Sequence, residues 1–152
     1  MRYRNAVILL VLLAAAVPLW AASDDILGTW LNQKQDAKIE VFKCGGNYCG
    51  KIVWLKTPTY PADSKEGTPG TAKIDTKNPD ASKRKTPLMN MQIMDGFQFV
   101  GDNLWKNGKI YDPDVGKTYS AKATLISHDE LNLRGFVGIS LLGRTEKWTR
   151  SN

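Results

Sequence analysis

Few side chains in this sequence combine in patterns that do chemistry. The chain has two cysteines and one histidine. Cys44 and Cys49 lie in Lys43-Cys44-Gly45-Gly46-Asn47-Tyr48-Cys49-Gly50, with strand-like runs on either side of Gly45-Gly46-Asn47, a composition that makes a hairpin turn. If Cys44 faces Cys49, then Val41 faces Ile52 and Ile39 faces Trp54, so one register joins the sulfurs and also gathers the apolar side chains on one face. A redox dithiol has two residues between its thiols and a helix start to lower a thiol pKa. Four residues separate these two and no helix start follows, so the expected state is a structural disulfide. Two sulfurs and one distant histidine do not make a metal site, and no metal or cofactor is expected.

His128 sits in the polar turn Ser127-His128-Asp129-Glu130, which offers neither the cleft nor the partner that a general base needs. The sequence contains no Gly-x-Ser-x-Gly, His-Glu-x-x-His or phosphate-binding loop. The best available acidic pair for hydrolysis is Asp75 with Asp112, each of which also reads as a loop cap. No catalytic residue is assigned, and a hydrolase stays open only through that pair.

These residues are carried by short alternating segments. Tyr119, Ala121, Ala123 and Leu125 alternate with Ser120, Lys122 and Thr124, and Leu131 with Leu133 repeats the pattern, a period of two that requires a sheet with one buried face. Further strand signals occupy Met89–Met94, Phe97–Trp105, Gly108–Tyr111 and Arg144–Arg150, with Asp112-Pro113-Asp114-Val115-Gly116 as a turn. Residues 56–87 hold five prolines and many lysines with almost no large apolar side chain. They read as one long loop, either a solvated crossover or a binding loop, with at most a short helical turn after Asn78-Pro79.

At least seven strands and one weak helix define an all-β fold, a small antiparallel barrel or a sandwich. Gly28-Thr29-Trp30 at the start and Arg150 at the end favour the barrel. They resemble the lipocalin and avidin signature, in which a late basic residue covers the ring of an early Gly-x-Trp.

Met1-Arg2-Tyr3-Arg4-Asn5, an uncharged run from Ala6 to Trp20 and small residues at Ala21, Ala22 and Ser23 have the order of a secretory leader. The apolar run is shorter than a bilayer span and contains Pro18. Cleavage is expected after Ser23, which leaves residues 24–152 as a single barrel domain with no transmembrane segment, acting as a monomer in the periplasm or outside the cell. Losing Arg2 and Arg4 with no acid lowers the formal charge of +6 by two, to +4. That modest excess points away from nucleic acid.

Several segments together resemble the bacterial secreted family known as domain of unknown function 2147. They are Gly28-Thr29-Trp30, Cys49 to Leu55, Asp75 with Asn78-Pro79, Gly108 to Pro113 with Gly116 to Tyr119, and Arg134-Gly135-Phe136 through Leu142 to Arg150. The resemblance implies export and a calycin-like barrel and brings no activity with it. One position departs from it: Asn90 stands where a glycine is expected, and asparagine is the residue best able to replace glycine in a left-handed turn.

A barrel of this size holds either side chains or one small ligand. Trp30, Trp54, Tyr111, Tyr119 and Trp148 could line the interior, and the small residues Ala121, Ala123 and Gly135 would leave room inside. The expected function is binding of a small amphipathic ligand. The candidate walls are Trp54, Tyr111 and Tyr119, the polar contacts at the mouth are Asn78 and Arg84 with Lys85 beside them, and the loop from Thr57 to Thr86 is the rim or lid. The alternative partner is an envelope component, met by a side-chain-filled barrel with an exposed apolar patch.

Overall fold

The computed structural model describes residues 19–151. The basic segment and most of the apolar run of the expected leader lie outside the described residues. The described chain opens with a short helix, α1 (Leu19–Asp24), followed by eight strands: β1 (Gly28–Leu31), β2 (Ala37–Cys44), β3 (Asn47–Leu55), β4 (Gln92–Phe99), β5 (Leu104–Asp112), β6 (Lys117–Ser127), β7 (Glu130–Phe136) and β8 (Arg144–Arg150). Each strand pairs antiparallel with its sequence neighbour, and β1 pairs with β8, which closes the barrel. Closure leaves the sheet without an edge. No described helix is long and apolar enough to cross a membrane.

The up-and-down order gathers the connections at two ends. One end holds the β2–β3, β4–β5 and β6–β7 turns together with the start of β1. The other holds the β1–β2, β5–β6 and β7–β8 loops and the long segment between β3 and β4.

The β2–β3 hairpin corrects one expected register. Gly45 and Gly46 have φ of 54° and 83°, so the turn is two residues long and Cys44 pairs with Asn47. The cysteines then lie diagonally, with Cα atoms 5.9 Å apart, and they are joined by a disulfide. The shift amounts to two residues, so each side chain keeps its expected face, and Ile39, Val41 and Ile52 all point into the barrel. Trp54 is the exception. A bulge at Lys38/Ile39 sets Ile39 opposite Ile52 and Trp54 opposite Lys38, turning the indole outward beneath the lysine, whose Nζ lies 5.8 Å from the ring centre.

The three segments expected between Met89 and Tyr111 form parts of two strands. Gly96 and Gly108 continue their strands, and the break falls at Gly101-Asp102-Asn103, all at positive φ. Asn90 has φ of 65°, the left-handed turn anticipated for it.

The long segment is ordered by its own bonds rather than being a solvated crossover. Bridges join Thr59 to Ala72 and Ile74 to Pro87, and Tyr60 is buried, its hydroxyl accepting from the Ile74 N–H at 3.2 Å. Its helical element is one 3-10 turn, Ala81–Lys83. Asp80 caps that turn by accepting from the Ser82 N–H at 3.0 Å.

Candidate functional site: a cavity at one end of the barrel

The two ends of the barrel are built differently. At the turn end, Trp30, Trp105, Phe97, Met94 and Leu131 are fully buried. Trp105 packs on Phe99, with ring centres 5.0 Å apart, and edge-on to Tyr48 at 6.3 Å. Ala123 faces Trp105 across the β5–β6 ladder and Ala121 faces Gly108, whose Cα is covered by the Phe97 ring. Ala121 and Ala123 therefore make room for aromatic rings and not for a ligand, which corrects the cavity-forming role expected of them.

Arg150 plugs this end. Its guanidinium lies 4.2 Å from the Trp30 ring centre. It donates to three carbonyls, Asp25 at 2.7 Å, Leu27 at 2.8 Å and His128 at 2.6 Å. Gly28 has φ of 117°, and a Cβ there would stand 2.9 Å from Nη1 of Arg150, so backbone conformation and space both call for glycine before Trp30. The Trp30 indole N–H donates to the Ile26 carbonyl at 2.9 Å.

At the loop end the interior is open, as a cavity of about 450 Å³. Its walls are apolar at depth, with Ile39, Ile52, Ile110, Leu133 and Trp148, and Leu55, Leu88 and Ile93 stand higher. Tyr111, Tyr119 and Gly135 complete the wall. A Cβ built on Gly135 would meet Tyr119 at 3.6 Å and Ile110 at 3.7 Å, ordinary contact distances.

Charged groups ring the mouth, and their pairing is uneven. Lys34 is bonded to Asp114 at 3.1 Å, Asp36 accepts from Asn32 at 2.7 Å, Asp112 accepts from the Asp114 N–H at 2.9 Å, and Glu146 accepts from the Trp148 indole at 3.3 Å. Lys73 and Arg144 also line the cavity, and neither side chain has a hydrogen-bond or ion-pair partner among the described residues. Each acid at the mouth thus has a hydrogen-bond partner, and the charged side chains without one are the two cations.

Behind one wall, Asp75 is 1% exposed. A buried carboxylate is costly unless bonded, and this one accepts from the Tyr111 hydroxyl at 2.8 and 2.9 Å and from the Asn78 amide at 2.6 Å. Burial first, and then the bond to Asp75, push the Tyr111 phenol up to about 12. The cluster fastens the long segment to β5. Gly116 completes the fastening, since its backbone lies against the Lys77 carbonyl where a side chain would not fit.

Of the expected ligand contacts, the structure brings Tyr111 and Tyr119 to the cavity. Trp54 lies on the outer surface because of the bulge. Asn78 and Arg84 are spent on the long segment itself: the Asn78 amide bonds Asp75, and Arg84 Nε donates to the Asn78 carbonyl at 2.8 Å. Lys85 is exposed and is not part of the wall. The rim is Thr57, Lys73 and Leu88. Asp75 and Asp112 both hold structural hydrogen bonds, and Asp75 does not line the cavity. Lys73, Arg144 and Glu146 were not foreseen. Alternation along Arg144, Glu146, Trp148 and Arg150 carries the signal for two of them, because an inward Trp148 turns Arg144 and Glu146 inward as well.

A closed eight-stranded antiparallel barrel, filled at one end and hollow at the other, is a lipocalin-like fold. The structure is similar to that of protein HP1028 from the human pathogen Helicobacter pylori, described as belonging to the lipocalin family, with a TM-score of 0.69, 21% identity, and coverage of 83% of this chain and 82% of that one. Residues 28–150 match the profile of the family described as uncharacterized protein conserved in bacteria (DUF2147), and the chain belongs to that family. No curated protein matches the chain significantly.

Proposed function

We propose that this protein binds a small amphipathic molecule, with its apolar part in the cavity and its polar end at the mouth. One observation carries the reading: the cavity is lined by apolar side chains at depth, while the charged side chains without partners at its mouth, Lys73 and Arg144, are both donors. A molecule that fits must present acceptors, such as a carboxylate, a phosphate or a carbonyl, at one end of a hydrocarbon body. The volume of about 450 Å³ lies within the range of small-ligand pockets, roughly 300 to 1,000 Å³. In this reading the chain works outside the cytoplasm as a monomer after leader removal near Ser23. The basic-apolar-small order of residues 1–23 and the Cys44–Cys49 disulfide support that compartment.

Native mass spectrometry of protein purified from the cell envelope should show a bound small molecule. A fluorescent fatty acid should bind and shift tryptophan emission, because Trp148 forms part of the wall. Arg144→Ala should weaken binding of the acid by up to about fivefold and leave the alcohol of the same chain length unaffected. No bound species and no probe response would overturn the reading, and equal losses for acid and alcohol would remove Arg144 from it.

A further inference from the structure

The β7–β8 loop presents apolar side chains to solvent in a way the fold does not require. Val137 is 74% exposed, Ile139 60%, Leu141 82% and Leu142 78%. Scattered exposed apolar residues are ordinary, but four within six residues at one loop tip are a patch. The exposure is held in place. Arg134 Nε donates to the Ser140 carbonyl at 2.7 Å, Nη2 to the Leu141 carbonyl at 3.1 Å and Nη1 to Thr145 Oγ1 at 2.8 Å. A 3-10 turn over Ser140–Leu142 and the close approach of Gly143 to the Gly135 carbonyl complete the clamp. One guanidinium therefore fixes the backbone so that two adjacent leucines project outward.

This tip stands at the end where the cavity opens, the end that also carries the long segment between β3 and β4. From Lys56 to Met91 the long segment carries seven Lys and Arg residues against four acids, one of which is the buried Asp75. Lys56, Lys65 and Lys85 are exposed and have no ion-pair partner among the described residues. At the opposite end, Asp24, Asp25, Asp102 and Asp129 occupy the turns and the approach to β1, where Lys43 pairs with Asp24 at 2.8 Å and the Arg150 guanidinium binds the Asp25, Leu27 and His128 carbonyls. The long segment thus places a basic excess beside the apolar tip.

We propose that the open end docks on an anionic lipid leaflet, with Leu141 and Leu142 inserted among the acyl chains and the exposed lysines of the long segment against the headgroups. Apolar insertion together with basic contacts is the combination that holds a protein at a bilayer surface. The basic excess of the long segment draws this end towards an anionic leaflet on approach. Docking does not depend on the ligand-binding reading. Where both hold, an amphipathic molecule passes between leaflet and cavity without crossing bulk water.

The test is co-sedimentation of envelope-purified protein, its N-terminus determined by intact mass, with vesicles of equimolar phosphatidylglycerol and phosphatidylethanolamine and with vesicles of phosphatidylcholine. The chain should partition onto the anionic vesicles, weakly onto phosphatidylcholine, and less as salt is raised. Leu141→Ser with Leu142→Ser should lower the partition coefficient about tenfold or more at unchanged thermal stability, because both side chains are already in water. Gly135→Leu, which fills the cavity, should bind vesicles as the unaltered chain does, so failure of docking and failure of ligand binding are told apart. Docking is overturned if the unaltered chain stays in the supernatant with anionic vesicles or if the double serine variant sediments equally well. Cross-linking of the loop to an envelope protein without vesicle binding would overturn it in favour of a protein partner.

Discussion

The closed and open ends of this barrel share strands, register and inward alternation, yet one is packed solid and the other is hollow. In β6 the inward residues run Tyr119, Ala121, Ala123, Leu125, and the two alanines sit in the packed half. Small residues on one strand did not produce a cavity, because larger rings on the facing strands, Phe97 and Trp105, occupy the space. The hollow lies where Gly135 faces Arg144 across the β7–β8 ladder and the arginine extends towards the mouth instead of filling the interior. Room inside a barrel is thus decided by the sum of side chains across all strands at one level.

The sharpest test of this contrast is Trp30→Ala, which should cost about 3 to 5 kcal/mol in urea unfolding because the ring is fully buried and capped by Arg150. Tyr119→Ala at the cavity wall should cost about 1 to 2 kcal/mol, since part of the ring already borders open space. Equal losses would mean that the open end is as tightly packed as the closed one.

Reduction of the Cys44–Cys49 disulfide at the closed end should cost about 2 kcal/mol, the chain-entropy value for so short a loop. Intact mass before and after alkylation establishes its presence, and denaturant unfolding with and without reductant measures its effect.

At the open end, Tyr111→Phe removes the hydroxyl that serves both oxygens of Asp75 and should cost about 1 to 2 kcal/mol. The phenol is favoured in its neutral form by folding, so its contribution is complete below pH 10, the ordinary tyrosine value. It is lost as pH rises towards about 12. The stability gap between the two proteins should therefore narrow over that interval, and a gap that stays constant would separate the hydroxyl from the raised pKa.

The smallest expected effect on stability is that of Gly135→Leu, within about 1 kcal/mol, because its Cβ meets Tyr119 and Ile110 at ordinary contact distances and the rest of the side chain lies along the cavity wall. Binding of the fluorescent fatty acid should nevertheless be abolished. Unchanged probe binding would move the ligand out of this cavity.

Much of this structure was legible in the residues themselves. Period-two alternation is a local property of the chain, and it identified the inward faces of β6 and β7, while the cysteine register sorted Ile39, Val41 and Ile52 inward on β2 and β3. Local backbone chemistry placed the turn from Asp112 to Gly116, and the glycine that the family pattern sets at Asn90 pointed to its left-handed backbone. The pairing of Gly28-Thr29-Trp30 with Arg150 spans nearly the whole chain, and it was visible only because a family pattern links the two. Tertiary structure alone decided three things. The bulge beside Ile39 turned Trp54 outward, because register depends on both strands of a ladder. Lys73 came to the cavity while Asn78 and Arg84 were used within the long segment, because contacts between a loop and a distant strand leave no periodic trace in the sequence. And the volume left empty at one end depended on how side chains from eight strands meet at each level of the barrel, which no single strand records.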